Sequence, residues 1–531
     1  MENQSPKITK LLLKGVALHR QGKLGDAKQI YEKILQKQSN HFDALQLLGS
    51  IYNQIKLPEM SLKYFNKALK INKTNPAVYN NRGNAFQALK RFGDALKSYE
   101  EALKLKPDYA EAYNNLGNTL QELGRFEDAL KSYNLALRIK PDYADAFYDR
   151  GNAFQALKRF GDALKSYEEA LKLKPDYAEA YNNLGKTLQE LERFEDALKS
   201  YEEALKLKPD YAEATWNKSL LLILIGDYLD GWTLYESRLE KEDTKKDYPS
   251  YPQIAWRGQE NIQGKRILIS SEQGLGDTIQ FVRYLEKIHQ LGAEIVLQVP
   301  TTLSNITGTI ETPVTVIDNK SKLPEFDAYC PLLSLPYVFK TTVETIPASV
   351  PYLFADQQKV SAWNQKLGVK TITRIGLVWS GAGGHKNDHN RSIPLELFTN
   401  LIDLPVEWHS MQKEYRAADK KVLESIPALK QHQDHLEDFT DTAALIECMD
   451  LVISVDTSVA HLAGALGKPT WILLPFVPDY RWMLEREDCP WYPTAKLLRQ
   501  DETRDWRKVI NRVASRLKTL GFGINQSNLV R

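Results

Sequence analysis

The chain has 531 residues, 70 Lys and Arg against 68 Asp and Glu, a net charge of +2, and 43% hydrophobic residues. That length exceeds what one hydrophobic core holds, so two or three domains are expected, and the balanced charge gives no electrostatic case for a nucleic-acid partner. Cys330, Cys448 and Cys489 stand far apart without C-x-x-C spacing, which argues against a disulfide framework and a cysteine zinc site.

Met1 to Lys10 lack the apolar core of a signal peptide, and no apolar run approaches the roughly 20 residues of a membrane span. A cytoplasmic protein without a membrane span is expected. From Ile8 to about residue 245 the chain repeats every 34 residues, and Arg82 to Asp149 nearly copies Arg150 to Asn217. A small residue recurs at position 8 (Gly15, Gly49, Gly83, Gly117, Gly151, Gly185, Ser219), where two helices must approach closely. Position 20 is often Ala (Ala95, Ala129, Ala163, Ala197) and position 24 aromatic (Tyr31, Phe65, Tyr99, Tyr133, Tyr167, Tyr201, Tyr235). Seven units start at Ile8, Phe42, Pro76, Ala110, Ala144, Ala178 and Ala212. The pattern resembles the tetratricopeptide repeat, a helix pair that buries its apolar faces only by stacking on its neighbours. Pro107, Pro141, Pro175 and Pro209 are expected to stop helices, and Asp108, Asp142, Asp176 and Asp210 to cap the next ones. Glu111 and Glu179 have capping-box spacing to Asp108 and Asp176.

Position 6 of successive units reads Asn81, Asn115, Asp149, Asn183 and Asn217, and position 9 reads Asn84, Asn118 and Asn152. Amides carry both donors and acceptors, so a row of them on an inner face can hold a peptide main chain without reading its sequence. This resembles the asparagine ladder of O-GlcNAc transferase repeats and makes Asn81, Asn115, Asn183 and Asn217 a candidate peptide-binding ladder. Recent duplication explains the identity of the copies without explaining a polar inner face.

The seventh unit departs from the pattern: Gly231 replaces Ala at position 20, and Trp216, Tyr228, Trp232 and Tyr235 crowd in, as expected where a terminal unit packs on something else. A linker is expected over 246–264. Beyond it the texture changes to short apolar runs of strand type alternating with helical stretches. Arg266–Ser270 leads into the turn Gln273-Gly-Leu-Gly-Asp277 and a helix over Thr278–Leu291. Strands follow at Glu294–Gln298, Val314–Ile317 and Phe326–Cys330. The pattern restarts with Arg374–Trp379, the loop Ser380-Gly-Ala-Gly-Gly384, and strands at Val406–His409, Leu451–Ser454 and Thr470–Leu474. Such alternation predicts parallel sheets in two Rossmann-like lobes, over 265–355 and 371–500, with a closing helix over 501–520.

Two turns carry candidate chemistry. Gly274-Leu-Gly-Asp277 joins a strand to a helix, so backbone N–H groups face the cleft. Asp277 either caps that helix or takes a proton from an acceptor hydroxyl. Ser454 to His461 runs from a strand end into a second helix, and Asp456, Thr457, Ser458 and its N–H groups gather the chemistry that holds a diphosphate.

These motifs, the Ser380-Gly381 loop and the segment continuing to Pro469 resemble the heptosyltransferase-type enzymes of glycosyltransferase family 9, which have the GT-B fold. The similarity spans about Lys265 to Leu520. It implies a nucleotide-sugar donor on the C-terminal lobe, an acceptor on the N-terminal lobe, inversion at the anomeric carbon, and no metal or other cofactor. The family's base falls on Asp277, beside Gly274 and Gly276. Its donor-phosphate turn falls on Asp456, Thr457 and Ser458, with His461 beside them. Ser380 and Gly381 line the donor loop, the family's basic residue matches Arg391 with Lys386 competing, and a donor contact falls near Gln412. Gln280 stands where those enzymes usually carry His, and the loop 381–390 is longer and more polar than theirs. No Asp-x-Asp motif is present, in keeping with a metal-free mechanism.

The combined expectation is an α-solenoid followed by a GT-B module that glycosylates a protein held by the repeats. Transfer to a glycolipid or oligosaccharide, with the repeats used for assembly, is one alternative. A non-catalytic scaffold that binds a nucleotide sugar is another. Sequence leaves the nucleotide, sugar, acceptor and oligomeric state open.

Overall fold

The computed structural model describes residues 6–241, 251–384 and 387–521. It divides into two compact units, Met1–Tyr211 and Ala212–Arg531. Among the described residues no helix is long and apolar enough to cross a membrane.

The first unit is six helix pairs, from Pro6–Arg20 with Leu24–Lys37 to Ala178–Glu190 with Phe194–Leu207. Each second helix is amphipathic. In Phe92–Leu105, Ala95, Tyr99 and Ala102 fall on one buried face at helical spacing. The small residue at position 8 has a steric cause: a Cβ on Gly117 would lie 2.5 Å from Tyr133 Cε1, and one on Gly83 would lie 2.4 Å from Tyr99 Cε1. Tyr133 is fully buried, its hydroxyl donating to Asn118 Oδ1 at 2.6 Å, so the ring has nowhere to go. Gly117→Ala would gain about 1 kcal/mol of helix propensity. Overpacking of this kind costs about 1–3 kcal/mol, so a net loss of stability is expected. Far-UV circular dichroism melting measures it, and unchanged melting would contradict the steric account.

The joints differ from expectation. The helices starting at Ala110, Ala144 and Ala178 have Tyr109, Tyr143 and Tyr177 at their N-caps, with no side-chain cap bond. Asp108, Asp142 and Asp176 stand one residue too early to cap, and Asp210 likewise precedes its helix start at Ala212 by two residues. The capping boxes with Glu111 and Glu179 therefore do not form. Side-chain caps occur in earlier units, where Asn75 accepts from Val78 N at 3.1 Å and His41 from Ala44 N at 3.3 Å.

The seventh helix pair, Ala212–Ile225 and Tyr228–Tyr235, packs within the second unit, so the boundary expected near residue 245 lies at 211. Aromatic packing is the reason. Trp232 meets Phe281 and Tyr480 edge to face with centroids 5.9 and 6.0 Å apart, and the Tyr235 and Tyr480 hydroxyls are 3.2 Å apart.

The rest of this unit holds two wholly parallel sheets. Strands are β1 (Ile254–Ala255), β2 (Arg266–Ser270), β3 (Glu294–Val299), β4 (Val314–Asp318) and β5 (Ala328–Pro331). They are followed by β6 (Arg374–Val378), β7 (Glu407–Ser410), β8 (Leu429–Lys430), β9 (Leu451–Val455), β10 (Thr470–Leu474) and β11 (Ala495–Arg499). The first sheet has the order β1-β5-β2-β3-β4 and the second β11-β10-β9-β6-β7-β8. The stretch expected to be pure linker, 246–264, supplies β1, which pairs with β5. The helix expected over Thr278–Leu291 is instead Leu275–Phe281, a 3-10 turn at Val282–Tyr284, and Leu285–Gln290. The closing helix Trp506–Thr519, capped by Asp505, buries Val509, Ile510, Val513 and Leu517 in the core of the second sheet.

Candidate active site

Open parallel sheets bind ligands where the strand order reverses, beyond the carboxyl ends of the strands. In the second sheet the reversal lies between β6 and β9, and in the first between β2 and β5. The Ser380 loop follows β6, the Asp456 turn follows β9, and the Gly274 turn follows β2, so both sheets present their expected motifs at these points. The helix Leu275–Phe281 packs directly on Ser458–Ala465. Gly276 makes that approach possible: a Cβ there would lie 2.7 Å from His461 Cδ2.

Asp277 does two jobs. Its Oδ2 accepts from Gly274 N at 2.8 Å, so it does cap its helix, and its Oδ1 accepts from Arg481 Nη2. Arg481 also donates from Nη1 to Asp479 Oδ1 at 2.6 Å. Neither Arg481 nor Asp479 was anticipated. The segment Asp479–Trp482 follows β10 toward the cleft but lacks the glycines that mark the other turns, and only its place after a strand could have drawn attention to it.

In the Asp456 turn, Thr457 is the N-cap of Ser458–Ala465, yet its hydroxyl lies 3.1 Å from Ser454 Oγ and does not cap the helix. Ser458 opens the helix, leaving its first N–H groups for an anion. Asp456 is nearly buried, which pushes its carboxyl up from the ordinary range. Arg391 Nη1 donates to the Asp456 carbonyl at 3.0 Å, while its buried Nε makes no hydrogen bond and lies 3.9 Å from Asp388 Oδ1. Arg391 also lies against Gly381, where a Cβ would meet Nη2 at 2.7 Å. Lys386 lies outside the described residues.

His461 is a packing residue. It stacks on Trp482 with centroids 5.2 Å apart, and its Nδ1 is 2.9 Å from Tyr492 Oη. Burial, with the Arg283 and Arg391 cations nearby, pushes its pKa down to about 3, so the imidazole is neutral near pH 7 and adds no positive charge for a diphosphate. Gln412 is buried and clamps the Ser380 loop, donating from Nε2 to Ser380 O at 2.9 Å and accepting from Ser380 N at 3.4 Å. Ser380 Oγ is buried without a partner. Gln280 is fully buried with neither amide atom partnered.

The amide ladder is half-buried rather than solvent-facing. Asn115 Nδ2 donates to Asn80 Oδ1 at 3.0 Å, Asn183 Nδ2 to Asn152 Oδ1 at 2.9 Å and to Tyr148 Oη at 3.1 Å, and Asn114 Nδ2 to Asp149 Oδ2 at 2.8 Å. These bonds tie successive repeats together. Asn81 is half-buried on its own helix, and Asn217 belongs to the second unit. A groove of about 470 Å³ is lined by Asn84, Gln87, Lys90, Asn115, Asn118 and Glu122.

Comparison with known proteins agrees with this division. Tetratricopeptide-repeat models match residues 42–75, 83–124, 108–176 and 142–210. The glycosyltransferase family 9 (heptosyltransferase) model matches 437–474, which contains β9, the Asp456 turn, its helix and β10. The chain thus joins a tetratricopeptide array to an α/β module that resembles glycosyltransferase family 9 over residues 437–474, with two parallel sheets compatible with GT-B. Protein FlbA of Caulobacter vibrioides is 25% identical over 328 residues, covering 57% of this chain and 54% of FlbA, so the chain spans about half the length of that relative. Among solved structures, MamA is 25% identical over 31% of this chain and 96% of its own, with a TM-score of 0.29. Pseudomonas aeruginosa pilF is 19% identical over 39% and 94%, with a TM-score of 0.36.

Proposed function

We propose that this protein is an inverting, metal-independent glycosyltransferase that moves a sugar from a nucleotide-sugar donor to a protein recruited by its repeats. The observation that carries the reading is the meeting of two turns at the sheet reversals: the helix whose first turn holds the base candidate Asp277 packs on the helix of the Asp456–His461 segment, Gly276 against His461, inside the family 9 match. In this reading Asp277 takes the proton of an acceptor hydroxyl as its oxygen attacks the anomeric carbon, opposite the departing diphosphate. Arg391 and the first N–H groups of Ser458–Ala465 stabilise the charge that develops on that leaving group. The cytoplasm is the compartment proposed, because the three cysteines are buried and unpaired.

For the repeats, the amide-lined groove supports capture of an extended acceptor chain. Replacing the three ladder amides of the first unit, Asn81, Asn115 and Asn183, together by Ala removes hydrogen bonds worth about 0.5–1.5 kcal/mol each. A severe fall in the specificity constant for a protein acceptor is expected, with donor hydrolysis retained. Because Asn115 and Asn183 also join repeats, the array should melt somewhat lower, a change to be measured separately. Equal loss in transfer and hydrolysis, or no loss in either, would leave the repeats as an assembly surface.

A further inference from the structure

Arg481 reaches from the donor sheet's side of the cleft to Asp277 on the acceptor side, and so occupies the one carboxylate oxygen that the helix cap leaves over. A carboxylate paired with a guanidinium is stabilised as the anion and is a weaker base while the pair lasts. Its neighbours show where else the guanidinium can go. Asp479, which shares Arg481, begins the turn whose Trp482 stacks on His461 of the donor helix. Arg481 Nε and Arg391 Nε are buried with no hydrogen-bond partner, the latter 3.9 Å from Asp388 Oδ1. Arg391 bonds the Asp456 carbonyl at the start of a helix that carries no side-chain cap, and Arg481 is held by Asp479, a carboxylate close enough to feel the charges of Asp456 and Arg391. A doubly charged diphosphate supplies the acceptors that both lack, and guanidinium binds phosphate oxygens in a two-pronged manner that a single carboxylate oxygen does not offer.

We propose that Arg481 is a positioning residue exchanged between base and donor: it latches Asp277 in the empty enzyme and moves to the donor diphosphate, freeing Asp277 only when a donor is bound. This rests on the reading of Asp277 as the base and of the Asp456 turn as the donor site. Asp277 and the diphosphate then compete for one guanidinium, and the competition must appear as a coupling between them.

The test is calorimetric binding of UDP, GDP, ADP and CDP to the full chain as wild type, Asp277→Asn, Arg481→Gln and the double variant. The side-chain carbonyl that Asp277→Asn leaves in place can still accept from Gly274 N, and melting curves check that each variant folds. The expected result is that Asp277→Asn binds the preferred nucleotide about tenfold or more tightly than wild type, on the scale of a charged hydrogen bond. Arg481→Gln binds it more weakly, and in that background Asp277→Asn brings no gain. Unchanged or weaker binding by Asp277→Asn, with wild type still binding, overturns the latch and leaves the donor site standing. Binding of none of the four nucleotides by any variant overturns the donor site and the latch together.

Discussion

Asp277→Asn is expected to reduce sugar transfer by about 10² to 10⁴, the usual contribution of a positioned general base. The carboxylate sits at the start of Leu275–Phe281, which packs on Ser458–Ala465, and asparagine keeps its shape and its bond from Gly274 N while removing its basicity. Any loss therefore reports on proton transfer rather than on the helix cap. A base that acts only on the acceptor would leave donor affinity within a few-fold in this variant. The ion pair with Arg481 changes that expectation, because the substitution releases a cation that the proposed donor site can use. The measurement is the transfer rate at saturating donor beside nucleotide affinity. Turnover near the wild-type rate would reduce Asp277 to a cap.

Arg238→Met is expected to cost the second unit about 3–5 kcal/mol, the penalty for stranding the partners of a buried ion. Arg238 is 1% exposed, donating to Glu272 through Nε at 3.0 Å and Nη2 at 2.7 Å, to Glu236 Oε1 at 2.6 Å and to Ser334 Oγ at 2.8 Å. Glu272 follows β2 and Ser334 follows β5, so the seventh repeat plugs the first sheet's reversal with this one side chain. Surface pairs of the same unit such as Lys508–Asp501 fall in the range of about 0–1 kcal/mol and serve as controls. All 10 Trp lie beyond residue 211, so tryptophan fluorescence reports denaturation of this unit without interference from the array. A loss under about 1 kcal/mol would show that the plug is dispensable.

Much of this architecture was legible in the sequence, and the exceptions have physical causes. The repeats were readable because a steric demand, glycine against a buried aromatic ring, recurs at a fixed interval. The longer strands were readable because strands buried on both faces are continuous apolar runs, as β6, β9 and β10 are. Strands β1 and β8 are two residues each, too short to carry a pattern. Asp108 was misread because its spacing fits a cap, whereas the turn admits one more residue before the helix starts. The bonds of the ladder amides were not legible because their partners sit on the neighbouring repeat, Asn115 meeting Asn80 across 35 positions. The role of Arg481 depends on two sheets closing on one another, and no local spacing encodes that.

The central claim is transfer of a sugar to protein, and its most direct test is mass spectrometry of proteins co-expressed with the full chain or with its Asp277→Asn variant. The account predicts a sugar-mass adduct on one or more proteins with the wild type, and its absence with Asp277→Asn at equal expression. The same adduct with both chains, or a sugar found only on lipid or oligosaccharide, would contradict it.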